Sequence, residues 1–405
     1  MSLLVLEYLT THSIAELMAD HGVRLSPGTR PYKASLNYDQ IAAKDADPLA
    51  QQCRGLVLGT LDGSPIPTEG PVGRLQVLAR PMDRFFNLGQ GQAHPVDDDG
   101  LLHPEARIWE KLDGTLCIVY FDPIADAWAV ATRSVPDADR QVDGFGDHTF
   151  RSLFELAVGE HLGVTWGAFT GWLRPESTYC LELVSPRAGS GVVQYDAHQV
   201  HLLAIRTTAT GYELCPTECI LDGFAVCPSH PAMSLEALRS MIELRSPAQA
   251  EGVVLRLAGR DASGGFRRVK VKSTAYVAAH GLSSDVGASP RNLLRVILKG
   301  MWDDVGPLTR PHLRERGDDL RQRFAGWISF VDQRTAELRA VHGDSRKDFA
   351  LAVQAENLPI GPMMAIWTGQ VENTRAWVDG RAKAGDWGDG FLDTLAGYLG
   401  EPALG

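Results

Sequence analysis

Glu110-Lys111-Leu112-Asp113-Gly114-Thr115-Leu116 lies between two runs that read as β-strands. A lysine followed two places later by Asp-Gly, at a strand end, can present an amine nucleophile to a nucleotide α-phosphate. Taken alone, the same residues also describe a solvated hairpin turn, because Asp-Gly favours the positive φ of tight turns. The rest of the chain decides between the two.

Three later segments supply the groups such a lysine needs. Thr178-Tyr179-Cys180-Leu181-Glu182-Leu183-Val184 is a β-type run with one carboxylate in an apolar or small setting. Ala250-Glu251-Gly252-Val253-Val254-Leu255-Arg256 repeats the idea, with a carboxylate opening a β-branched strand. Arg267-Arg268-Val269-Lys270-Val271-Lys272-Ser273 alternates cation with valine. Strand side chains alternate between faces, so Arg268, Lys270 and Lys272 share one face and Val269 and Val271 point to a core. Each segment taken singly also fits a core strand with one edge charge, or a solvated basic face.

This order resembles that of the covalent nucleotidyltransferases, the polynucleotide ligases and mRNA-capping enzymes. Lys111 to Gly114 matches the nucleophile motif and Leu181-Glu182-Leu183 the third motif. Glu251-Gly252-Val253-Val254 matches the fourth, and Val269-Lys270-Val271-Lys272 the fifth. Within that superfamily the chain is most similar to the RNA ligase 1 family, the phage tRNA-repair type. Cys53-Arg54-Gly55-Leu56-Val57-Leu58 and the run from Arg80 to Gly89 look like its pre-nucleophile elements. Val184-Ser185-Pro186 and Leu202-Leu203-Ala204-Ile205-Arg206 resemble its strands after the third motif. The likeness covers roughly residues 30–285. It departs at Arg84, where the family usually has lysine before Phe-Phe-Asn; the charge is kept, but a bidentate fork replaces a point charge.

The resemblance implies an α+β fold: a nucleotidyltransferase (ATP-grasp-like) domain of mixed antiparallel sheets over residues 1–285, followed by a mostly helical domain over 286–405. It implies ATP with Mg²⁺ or Mn²⁺ as cofactors, and RNA carrying 5′-phosphate and 3′-hydroxyl ends as partner. Lys111 is then the nucleophile, and Glu251, Lys270 and Lys272 complete the catalytic set. Arg54 and Arg84 would contact the ATP phosphates or the RNA 5′-phosphate, and Phe86 would pack near the nucleotide. Asp113 and Gly114 belong to the nucleotide-binding loop.

The chemistry stands beside the resemblance. A lysine at its ordinary pKa of about 10.4 is almost fully protonated at neutral pH and cannot attack phosphorus. Nearby cations, a divalent metal and partial desolvation all disfavour the ammonium form. Lys270 and Lys272 supply such charge and would also stabilise the phosphate oxygens in the transition state. Glu182 and Glu251 are hard oxygen ligands suited to Mg²⁺ through water, with their division between metal and ribose left open. Asp113 either holds the loop or bonds a ribose hydroxyl. Arg54, Arg84 and Arg133 (in Ala131-Thr132-Arg133-Ser134) are placed near phosphates, which a planar guanidinium grips with parallel hydrogen bonds. Ordinary core packing is the competing reading for at least one of Phe85 and Phe86.

A length of 405 residues suggests two or three domains, and 44% hydrophobic residues suffice for a substantial core. A net charge of −11 argues against a general nucleic-acid coat protein while leaving room for local basic channels. The six scattered cysteines favour a reducing cytoplasm, and the resemblance implies that of a bacterial or phage-infected cell. Cys215, Cys219, Cys227 and His230 are a candidate zinc set of loose spacing. No run approaches the roughly 20 apolar residues of a membrane span. Met1 to Leu6 lacks a basic n-region and meets Glu7 early, so no signal peptide is expected. No obligate protein partner is evident, and a monomer is expected.

Residues 1–30 predict a helix from Ser13, with Ile14, Leu17 and Met18 on one side, then a turn at Ser26-Pro27-Gly28. Short strands separated by Gly, Pro and Asp clusters fill residues 31–280. Asp97-Asp98-Asp99-Gly100 reads as a turn, and Leu153 to Leu162 as a helix crossing between sheets. Beyond about residue 285 the period becomes helical, at Asn292 to Met301, Trp327 to Val341 and Asp348 to Ala355. Arg291, Arg295 and Lys299 fall near one face of the first of these, a face that is either solvated or turned to RNA phosphates. A helical tail in place of a β-barrel favours the RNA ligase 1 type over a capping guanylyltransferase. A complete set of motif residues disfavours a non-catalytic RNA-binding relative.

Overall fold

The structure is a computed structural model that describes residues 3–39, 42–73, 75–139, 148–186, 192–216, 223–282, 289–382 and 387–400. The chain divides into two compact units, Met1–Ser273 and Thr274–Gly405. The fold is mixed α+β with antiparallel sheets and a helical C-terminal region, as the sequence predicts.

In the first unit, β1 (Val23–Pro27), β2 (Lys33–Tyr38), β3 (Arg54–Thr60) and β4 (Leu75–Ala79) form an antiparallel sheet in chain order. The strands that follow are β5 (Phe86–Asn87), β6 (Arg107–Lys111), β7 (Thr115–Asp122), β8 (Ala127–Thr132) and β9 (Ser177–Val184). Then come β10 (Gln199–Thr207), β11 (Glu213–Leu214), β12 (Ser229–His230), β13 (Gly252–Arg260) and β14 (Phe266–Lys272). They make two five-stranded sheets, ordered β11-β10-β9-β7-β8 and β12-β6-β13-β14-β5. Every pairing is antiparallel except that of β5 with β14.

This topology removes the hairpin reading of Asp113-Gly114. β6 is flanked by β12 and β13, and β7 by β8 and β9, so neither has a free edge to offer the other. The three residues after Lys111 instead carry the chain from one sheet to the next.

The continuous apolar run of β7 reflects burial on both faces. Cys117 and Val119 pack with Leu153, Phe154, Ala157 and Val158 of the helix Phe150–Leu162. Leu116, Ile118 and Tyr120 pack against Val57, Leu78 and Ala79 of the first sheet. Each fully buried valine, leucine, isoleucine or phenylalanine among them contributes about 1.5–3 kcal/mol. A buried ion cluster joins the same layers: Lys33 Nζ lies 2.9 Å from Asp122 and 2.5 Å from Asp137, and the Tyr32 hydroxyl donates to Asp122 at 2.8 Å.

Several local expectations shift. The helix Ile14–His21 starts at Ser13, whose side chain and that of Glu16 form a reciprocal capping box. Ile14 and Leu17 are buried but Met18 is exposed. β1 runs through Ser26 and Pro27, so the turn begins only at Gly28. Asp97 to Gly100 is not a turn: Asp97 caps a short helix, Asp98–Leu102, by accepting the Gly100 N–H at 2.7 Å, and Leu101 is buried beneath it. The helix Phe150–Leu162 begins three residues before Leu153, at a Thr149 cap, and links β8 to β9 of one sheet rather than crossing between sheets.

The second unit is helical. Pro290–Leu298 is capped by Ser289; Trp327 to Val341 is the later half of a 32-residue helix, Pro311–His342; and Arg346–Ala355 follows. Val331, Leu338, Phe349, Val353 and Met363 form a core there. Two cations of the first helix's basic face have acidic partners. Arg291 bonds Asp393 and Asp389, and Arg295 bonds Asp389, all on the helix Asp389–Tyr398. Those arginines tie two helices together through exposed ion pairs, so the face they share with Lys299 carries acidic partners as well as cations. Among the described residues no helix is long and apolar enough to cross a membrane.

Candidate active site

Register assembles the site. Gly252 on β13 stands opposite Lys111 on β6 and opposite Lys272 on β14, so three strands deliver their ends to one level. Glu251, the residue before β13, is buried between the two lysines. Its Oε2 lies 2.7 Å from Lys111 Nζ and its Oε1 2.8 Å from Lys272 Nζ. A close backbone approach permits this: Gly252 has φ 148°, and a Cβ there would sit 2.1 Å from the Val271 carbonyl oxygen.

The other sheet contributes Glu182. On β9 it pairs opposite Leu116, and its Oε1 accepts the Gly114 N–H at 3.1 Å. Gly114 must be glycine for the same reason as Gly252, since a Cβ would stand 2.2 Å from the Leu183 carbonyl oxygen. Asp113 is buried; its Oδ2 accepts the Val193 N–H at 3.3 Å, a loop-holding contact.

Lys270 sits further along β14, with Nζ 4.7 Å from the centre of the Phe85 ring; Arg54 lies 5.2 Å from the same ring and donates to the Met82 carbonyl at 3.4 Å. Burial, then the charges of Arg54, Lys111 and Lys272, bring Lys270 down to about 7. Burial likewise lowers Arg54. Burial pushes the Glu182 carboxyl up to about 7 against the pull of Lys111 and Arg54, with Glu251 adding to the rise. Two half-buried groups of opposite type thus change charge near neutrality, a pattern that clusters at functional sites.

The shift at Glu182 has a measurable sign. Between about pH 4.5 and 7 the folded chain keeps a proton that the unfolded chain has released, so this group's contribution to stability falls as pH rises through that window. Glu182→Gln keeps an acceptor for Gly114 and removes the titration. Its melting temperature relative to wild type is expected to rise between pH 4.5 and 7. A difference independent of pH there would refute the assignment.

The remaining sequence-selected residues are placed as follows. Arg84 pairs with Asp45 at 2.6 Å and lies over the rings of Tyr38 and Phe86, at 4.3 and 5.0 Å. Arg133 approaches the same Tyr38 ring at 5.8 Å. Phe86 is a buried β5 residue, and it is Phe85, not Phe86, that lies between Arg54 and Lys270. Arg268 departs from the expected three-cation face: its guanidinium is buried against Glu213, donating at 2.9 Å, so only Lys270 and Lys272 of that stripe join the site.

The three described candidates for a zinc set, Cys215, Cys227 and His230, have other partners. Cys215 Sγ lies 2.7 Å from Arg256 Nη1, Cys227 donates to the Glu110 carbonyl at 3.1 Å, and His230 Nε2 lies 2.7 Å from the Glu110 carboxylate. Cys219 lies outside the described residues. Among the described residues no cluster of three His, Cys, Asp or Glu side chains is poised to hold a metal.

Sequence reasoning missed three contributors. The sequence does not rank Phe85 above Phe86, because which of two adjacent aromatics faces the site depends on strand pairing. Glu110, beside the nucleophile, is held by His230 and by Arg245 at 2.8 Å, contacts with no local sequence signal. Tyr195 accepts the Asp113 N–H at 2.9 Å from a segment 82 residues away.

A strand-end lysine gripped by a carboxylate, where the chain passes from one sheet to another, is an arrangement suited to covalent nucleotidyl transfer. A family model described as RNA ligase matches residues 52–276, more than half of the sequence, and the chain belongs to that family. No curated protein matches. Among solved structures the chain is similar to an archaeal ATP-dependent RNA ligase in two forms. Form 2 has 16% identity over 71% of this chain and 68% of that chain, with a TM-score of 0.42. Form 1 has 16% identity over 72% and 70%, with a TM-score of 0.39. An RNA ligase of Naegleria gruberi, in an apo variant, is similar at 17% identity over 43% and 51%, with a TM-score of 0.32.

Proposed function

We propose that this RNA ligase is ATP-dependent and joins 5′-phosphate and 3′-hydroxyl RNA ends in three steps, in the repair of broken RNA such as tRNA. Lys111 Nζ attacks the α-phosphate of ATP; a P–N bond forms and the bond to pyrophosphate breaks. The AMP then passes from lysine to the RNA 5′-phosphate, which becomes a pyrophosphate-linked adenylate. The 3′-hydroxyl attacks that activated phosphate, a phosphodiester forms, and AMP leaves. The observation that carries this reading is the joint contact of Glu251 with Lys111 and Lys272, at the strand ends where the family's motifs meet.

The residues divide the work by charge. Lys270, Lys272 and Arg54 offer positive charge to phosphate oxygens where negative charge develops. The Lys111 ammonium must lose its proton before attack, and Glu251, 2.7 Å away, is placed to receive it. Glu182, which accepts the Gly114 N–H, and Glu251, which meets Lys111, are hard oxygen donors at the two ends of the Lys111–Gly114 turn. That pairing fits Mg²⁺ or Mn²⁺, an ion that keeps much of its water and shares the phosphates. Bound there, it would supply Lewis-acid stabilisation of the transferring phosphate. Arg84, Arg133 and Phe86 form an outer layer around Tyr38.

Incubation with labelled ATP or GTP, then mass spectrometry of the denatured protein, tests the reading. An AMP adduct on Lys111 is expected; a GMP adduct would make the chain a guanylyltransferase, and no adduct would defeat the proposal.

We assign nucleotide chemistry to residues 1–285 and choice of RNA to residues 286–405. A protein ending near residue 285 is expected to adenylylate Lys111 at a rate within about threefold of the full chain, as ATP binding energy is unchanged. It is expected to lose its preference for a nicked stem-loop over unstructured strands. An unchanged preference would remove the helical unit from substrate choice.

A further inference from the structure

Val192-Val193-Gln194-Tyr195 forms an irregular strap between the two catalytic loops. The Gln194 N–H donates to the Ala248 carbonyl at 2.8 Å, three residues before Glu251. The Val193 N–H donates to Asp113 Oδ2, and the Tyr195 hydroxyl accepts the Asp113 N–H at 2.9 Å, two residues after Lys111. The strap therefore spans the loops that carry Lys111 and Glu251, which meet again through their own 2.7 Å contact.

The Asp113 amide has particular need of an outside acceptor. It lies past the end of β6 and before β7, where the chain leaves one sheet for another and no strand partner is at hand. The tyrosine is suited to that task. It is half-buried, and burial, reinforced by Asp113, Glu182 and Glu251, raises its phenol above the ordinary range, so it remains neutral beside the carboxylates.

We propose that Tyr195 is a positioning residue for the ligase reaction: its hydroxyl fixes the Leu112–Gly114 turn and, through it, the line along which Lys111 Nζ meets the α-phosphate. This rests on the ligase reading above. The first step needs that alignment, whereas sealing of RNA already carrying a 5′-adenylate does not use the lysine as nucleophile. Alignment errors of about 1 Å can cost 10²-fold in rate, and loss of one hydrogen bond corresponds to about tenfold.

Tyr195→Phe keeps the ring and removes the acceptor. Single-turnover adenylylation is expected to slow by about tenfold with an unchanged KM for ATP. Sealing of pre-adenylated RNA should stay at the wild-type value, the melting temperature should fall by no more than the loss of one hydrogen bond allows, and the Asp113 amide should exchange with solvent faster. Tyr195→Leu separates ring from hydroxyl. If Phe behaves as wild type and only Leu is impaired, the role is packing and the proposal is overturned. It is overturned as well by a raised KM with intact maximal rate, or by unchanged exchange at Asp113. Amide exchange needs no turnover, so it judges the proposal even if wild type forms no adduct, a result that would count against the ligase reading instead.

Discussion

Lys111→Ala and Lys111→Arg are expected to form no covalent AMP adduct and to join no 5′-phosphate RNA, a loss on the order of 10⁶-fold, the scale seen when a covalent nucleophile is removed. Arginine is the sharper test. It preserves charge and can still meet Glu251, but its guanidinium stays protonated and cannot attack phosphorus. Both variants should retain part of their activity on RNA already carrying a 5′-adenylate, because the lysine acts as nucleophile only in the first step. Denaturing electrophoresis with labelled ATP measures the first half and a joining assay with pre-adenylated strands the second. An adduct on the alanine variant would move the nucleophile elsewhere; equal loss in both assays would mean that Lys111 serves later steps too.

Glu251→Gln is expected to impair adenylylation and final sealing alike, each by about 10²–10³-fold, the range for loss of one preorganised electrostatic group. Glu251 is buried and holds two lysines, so its neutral isostere leaves two ammonium groups without their shared counter-charge. A variant impaired only in the first step would confine Glu251 to preparing Lys111. Full joining by wild type in EDTA would exclude the divalent ion from the mechanism.

The particular residues show why some of the site was legible. Lys111, Glu251, Lys270 and Lys272 stand at strand ends or alternate with valine, and Glu182 is the lone carboxylate of an apolar strand, signals contained within seven residues each. Arg268 looked equivalent to Lys270 because the same alternation covers both. Its partner, Glu213, is 55 residues away on another sheet, and the pairing takes the guanidinium out of the site. Phe85 and Phe86 could not be ranked for the same reason: the short strand that turns Phe86 inward exists only through its pairing with β14.

The sequence by itself determined the α+β class, the helical character of the later region, the candidate nucleophile and the residue types around it, because periodicity and turn chemistry act over a few residues. Only the tertiary structure decided that Asp113-Gly114 bridges two sheets instead of closing a hairpin. It alone also decided that Glu251, 140 residues from Lys111, lies between Lys111 and Lys272, that Tyr195 braces the turn, and that Arg291 and Arg295 bind a neighbouring helix. Strand partners and register are chosen by which apolar faces can be buried together and which edges remain free, a competition among segments far apart in the chain.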